Sequence, residues 1–132
     1  MDEKYSNELA KIRFERADEL IKEAEYMLAK NMYKSANNRA YYAIEKAISA
    51  LLISRQIETK THAGVLKMFN LEFVRNGDGT FIQEDYVIAT EAEHIRNISD
   101  YDDFYIASKL ETIELVNNAR SLVDKVRSVL FT

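Results

Sequence analysis

Cysteine is absent from the 132 residues, which removes disulfides, thiolate metal ligands, iron–sulfur ligation and thiol nucleophiles from consideration. Proline is absent too, and glycine occurs only three times, at Gly64, Gly77 and Gly79. Sandwiches and barrels need frequent turns built on those two residues, so their scarcity argues against a β fold. No apolar run approaches the ~18 residues of a membrane span, and Met1 to Lys11 are too polar and acidic for a secretion signal. A soluble, cytoplasmic protein is expected. With 47% hydrophobic and 30% charged residues the chain sits near the globular average, far from the signature of disorder. One domain over residues 1–132 fits this length.

Long-chain helix formers dominate what is present, and the apolar residues repeat at helical spacing. Phe14, Ala17, Ile21, Ala24 and Leu28 step by three and four, predicting a helix over Lys4 to Lys30 that Asn31 interrupts. A second helix, with Ser35 near its start, extends to about Arg55. Its Ala36, Ala40, Ala43, Ala47 and Ala50 form a small-residue row that lets a neighbour approach closely, beside a bulky row of Tyr41, Ile44, Ile48 and Leu51. This helix should be the most central. Thr61 is positioned to cap a short third helix to about Arg75, and Asn76-Gly77-Asp78-Gly79 reads as a helix-to-helix loop. A fourth helix is predicted from Gln83 to Ile98. Ser99, Asp100, Asp102 and Asp103 are cap candidates before a fifth, marked by Leu115, Ala119, Leu122, Val126 and Val129. The fold class is therefore all-α: an up-and-down helical bundle of four long helices plus one short one.

The net charge of −4 offers no global attraction to nucleic acid, but it conceals an asymmetry. Residues 31–70 carry six basic and two acidic residues, and residues 71–105 carry two basic and nine acidic. Such opposed blocks suit complementary pairing between subunits, or a local anion site. A homodimer is expected.

Two clusters exceed what packing alone requires. Asn37-Asn38-Arg39 precedes Tyr41-Tyr42 one turn into the second helix, although asparagine is a mediocre helix former. A solvated first turn is the plainer reading of that run. The second cluster is Arg96-Asn97-Ile98-Ser99-Asp100-Tyr101. Arg96 and Asp100 are four apart, so a helix continuing past Ile98 would bring them onto one face, where a carboxylate can hold a guanidinium for phosphate binding. Neither His62 nor His94 has the carboxylate or histidine spacing of a helical metal site, so no metal or other cofactor is expected. His62, in the first turn of the third helix, reads as a neutral imidazole making one capping hydrogen bond.

Taken in order, Ser35-Ala36-Asn37-Asn38-Arg39-Ala40-Tyr41-Tyr42-Ala43, Lys60-Thr61-His62-Ala63-Gly64-Val65 with Phe69 downstream, and Arg96-Asn97-Ile98-Ser99-Asp100-Tyr101-Asp102 resemble the HEPN superfamily. The likeness is to its small stand-alone members in bacteria and archaea, and it covers about residues 8 to 130. The resemblance implies a helical bundle, usually a homodimer, often paired with a minimal nucleotidyltransferase in a toxin–antitoxin module. It also implies kinship with metal-independent endoribonucleases, whose signature is an arginine, a polar residue directly after it, and a histidine four to six residues beyond the arginine. Arg96 and Asn97 match the first half, but Ser99 to Asp102 occupy the region of the histidine. A carboxylate there would repel the scissile phosphate rather than protonate around it.

The leading expectation is thus a binding protein for a nucleotide or RNA phosphate, or for a nucleotidyltransferase-type partner. Arg39, Tyr41, Arg96, Asp100 and Tyr101 are the candidate ligand-binding residues. The alternatives are a metal-independent ribonuclease drawing on Arg96 and Asn97 with His62 or His94, and a purely structural oligomerisation module.

Overall fold

A computed structural model describes residues 2–131. The helices are α1 (Glu3–Ala29), α2 (Tyr33–Ser54), α3 (His62–Phe69), α4 (Gln83–Tyr101) and α5 (Lys109–Leu130), and α3 runs on as a π-helical segment, Asn70–Arg75. No strand occurs among the described residues. The predicted bundle of four long helices and one short one is what forms.

The three-residue connection Lys30 to Met32 returns the chain antiparallel, with Asn31 in the left-handed region at φ 62°. All five alanines of the α2 stripe are fully buried, and α2 packs against α1, α3, α4 and α5. With no side chain longer than a methyl on that row, α1 can approach closely enough for Phe14, Ile21 and Ala24 to join a core that also holds Val116, Leu122 and Val126 of α5. The outer seam of α1 and α5 is tied by Arg120, which donates to both carboxylate oxygens of Glu25, and by Arg127 with Asp18.

Ser35 falls in the first turn of α2, which begins at Tyr33 after Met32 with no side-chain cap. The cap candidates Ser99 and Asp100 lie inside α4, which continues to Tyr101 with Ser99 buried. Asp102 ends α4 and accepts from the Phe104 N–H, and Ser108 caps α5 by accepting from the Glu111 N–H.

Thr61 does cap α3, its hydroxyl accepting from Gly64 N at 2.9 Å. A Cβ at residue 64 would stand 3.0 Å from that same oxygen, so glycine keeps the cap unstrained. Gly77 is required more strictly, since a Cβ there would come within 2.0 Å of the Phe73 carbonyl oxygen at the end of the π-helical segment. Phe69, Phe73 and Phe81 cluster beneath this turn, and the Arg55 guanidinium lies 4.1 Å from the Phe73 ring centroid.

Candidate functional site

Helix α2 presents Tyr41, Tyr42 and Glu45 on the side that meets α3 and α4. Tyr41 is fully buried and Glu45 is 8% exposed. A carboxylate is tolerated at that depth only when its oxygens are hydrogen-bonded. Here Tyr41 donates its hydroxyl to Glu45 Oε2 at 2.9 Å, and His62 Nδ1 bonds the same oxygen from the first turn of α3. That contact puts the imidazole hydrogen on Nδ1 and leaves Nε2 without a protein partner among the described residues. Burial, with Glu45 beside it, pushes the Tyr41 phenol far above the usual tyrosine value, so this donor keeps its proton.

Helix α4 contributes the cation. Because the helix runs through residue 101, Arg96 Nε stands 3.2 Å from Asp100 Oδ2 on one face. Its Nη1 donates to Asn97 Oδ1 at 3.3 Å. The guanidinium lies 5.6 Å from the Tyr41 ring centroid and 5.5 Å from that of Tyr42. Partial burial works against its charge, but Tyr42 and Asp100 outweigh that effect and raise its pKa above the usual arginine value. Nη1 bonds Asn97, and Nε is buried beside Asp100 without a hydrogen bond of good geometry, so only the remaining donors on Nη1 and Nη2 are left for an anion.

The imidazole of His62 packs edge-on to the same two rings, at 6.2 Å from Tyr41 and 6.3 Å from Tyr42. Arg96 and His62, far apart in sequence, therefore share one aromatic platform. The arrangement offers a planar cation held in place, a half-exposed imidazole on a carboxylate, and one partly exposed ring, that of Tyr42, beside the buried Tyr41.

Of the residues singled out from the sequence, Tyr41, Arg96, Asn97, Asp100 and His62 come together here. Three others do not. Arg39 turns to α1 and lies 3.7 Å from Glu23. His94 lines a separate cavity between α4 and α5. Tyr101 is 85% exposed at the end of α4, with Phe104 and Ile106 still more open beyond it. The Asn37-Asn38-Arg39 run is not uniformly solvated, contrary to the sequence expectation: Asn37 is buried, while Asn38 and Arg39 are partly exposed. His62 does not cap α3 either; Thr61 does, which frees the imidazole for Glu45.

Sequence reasoning misses Glu45. The available signal is an acid four residues after Tyr41, beside Ile44 and Ile48 on an otherwise apolar face. Such an acid must find a donor, and Tyr41 is the donor one turn away.

Among the described residues no three histidine, aspartate or glutamate side chains are grouped to hold a metal ion, and no helix is long and apolar enough to cross a membrane.

The chain is similar to several known proteins. Two from Methanocaldococcus jannaschii are named Putative toxin MJ0142 and Putative toxin MJ0605. The first is 30% identical over 132 residues, all of this chain and 88% of the relative; the second is 34% identical over 115 residues, 86% and 83% respectively. The crystal structure of TT1696 from Thermus thermophilus superposes with a TM-score of 0.72 at 20% identity, covering 90% of this chain and 96% of that one, which confirms the fold. A family model of the HEPN domain matches residues 10–129, and the chain belongs to that family.

Proposed function

We propose that this protein is the toxin-like member of a HEPN module and binds a phosphate of RNA or of a nucleotide at Arg96. The observation that carries the reading is the guanidinium itself, its Nε 3.2 Å from Asp100, resting on Tyr41 and Tyr42, and with Nη donors beyond the one to Asn97 not engaged. Asp100 orients the fork; Tyr42 is placed to stack on a base. The toxin names of the two archaeal relatives support the module; a nucleotidyltransferase-type counterpart is what the resemblance of the sequence implies. A homodimer is part of this reading. It is supported by the opposed charge blocks and by Tyr101, Phe104, Ile106 and Leu110, four large apolar side chains left exposed around one connection.

The test is binding of labelled RNA and of nucleoside monophosphates by the wild-type protein and by Arg96→Ala and Arg96→Lys. Both variants should bind more weakly, since an ammonium lacks the planar fork. Equal binding by all three proteins would refute the assignment.

A second reading, metal-independent RNA cleavage, has one observation in its favour. The Glu45 carboxylate fixes the His62 tautomer with Nε2 free, on the platform that holds Arg96. The same contact also has a structural explanation, because it supplies a buried carboxylate with a donor. Together with Asp100 standing where a proton-exchanging group would be needed, this leaves binding as the better supported function.

A further inference from the structure

A second site lies on the opposite side of α4 from Arg96. Between α4 and α5 a cavity of about 290 Å³ opens, with Asn37 of α2 among its lining residues. That volume is near the lower end of the range for small-molecule sites, roughly 300 Å³. Asn37 is 2% exposed, yet its Oδ1 has no hydrogen-bond partner, and the hydroxyl of Tyr105, which also lines the cavity, has none either. Unpartnered polar atoms at such depth are uncommon, because each forfeits its hydrogen bond to water without replacement. Here they point to an occupant that donates hydrogen bonds.

The charge of the lining states what kind of donor. Glu91, Glu111 and Glu114 lie on the exposed side of the cavity, no ion pair engages any of the three among the described residues, and no lysine or arginine lines it. Burial and the Glu111 carboxylate raise the Tyr105 phenol above its usual value, so it adds no charge of its own. Ile88, Ile95 and Leu115 give the cavity apolar wall as well. A cation with several N–H donors and an aliphatic stem satisfies each of these features; a metal ion does not, since no three ligating side chains are grouped for one.

We propose that this cavity binds an aliphatic ammonium group, whose N–H donors meet Asn37 Oδ1 and the carboxylates at the mouth and whose chain lies on the apolar walls. The inference is independent of the Arg96 site, which lies on another face of α4.

Isothermal titration of the intact protein with 1,4-diaminobutane tests it. One saturable site is expected, absent for the isosteric 1,4-butanediol. Glu111→Gln combined with Glu114→Gln, both exposed and so compatible with folding, should weaken binding about tenfold, in keeping with the loss of two charges at a partly desolvated mouth. Asn37→Leu should weaken it further, and Arg96→Ala should leave it unchanged. A parallel arm with Nα-acetyl-lysine methylamide distinguishes the source of the ammonium: tighter binding than the diamine identifies a lysine side chain, weaker binding a free amine. No saturable binding of either cation, or undiminished binding in the double glutamine variant, overturns the proposal.

Discussion

Tyr41 donates its hydroxyl to Glu45 Oε2 at 2.9 Å, with both side chains buried in the centre of the bundle. The pair converts an acid on an apolar helix face into a scaffold for His62 and for the rings beneath Arg96. Tyr41→Phe keeps the packing but leaves Glu45 one donor short, and this should cost about 1–3 kcal/mol. The shift of the urea midpoint measures it. An unchanged midpoint would mean that the hydroxyl is not needed.

The same residue sets an alkaline limit. In the unfolded chain a tyrosine titrates near ~10, whereas the folded protein holds Tyr41 protonated well above that value through burial and Glu45. The stabilisation is complete below about pH 10 and declines as pH rises further, because the unfolded state then releases a proton that the folded state keeps. Stability measured by urea unfolding across that range should therefore fall more steeply in the wild type than in Tyr41→Phe. Parallel curves would contradict the assignment.

Assembly depends on the connection between α4 and α5. Phe104 is 93% exposed and Ile106 is 87% exposed, so changing them removes no intramolecular packing. Light scattering should report twice the 15.3 kDa chain mass for the wild type and a shift toward the monomer for Phe104→Asp with Ile106→Asp. A wild-type monomer at micromolar concentration would refute the dimer.

Cleavage is the point on which the two functional readings part. The purified protein in excess EDTA should leave RNA intact, since no histidine follows Arg96 and the His62 contact with Glu45 is explained by the need of a buried carboxylate for a donor. Cleavage that is lost in both Arg96→Ala and His62→Asn would establish the ribonuclease reading in its place.

Much of this architecture is legible in the sequence because it is periodic. The alanine row of α2 announces a close helix contact by its spacing alone, and Thr61 with Gly64 announces a cap by residue type. Arg96 and Asp100 are legible as a pair on the condition that α4 continues past Ile98, which it does, to Tyr101. What is not legible depends on contacts between distant segments. Glu45 acquires meaning only when the turn after α2 brings His62 back onto it. Arg39 suits the site by residue type and position, but Glu23 on the preceding helix claims it. Asn37 reads as a solvated residue because nothing local shows that α4 and α5 close over that turn.

Phosphate binding by Arg96 is tested most directly by fluorescence anisotropy of a labelled single-stranded RNA. Arg96→Ala should weaken binding by about 1.5–3 kcal/mol, or roughly ten- to hundredfold in Kd, the range for a hydrogen-bonded charged group. It should also make the slope of log K against log salt shallower by about 0.7, the increment for one phosphate contact on a single strand. If affinity and salt slope are the same in the wild type and in a folded Arg96→Ala protein, Arg96 is a surface residue and the site lies elsewhere.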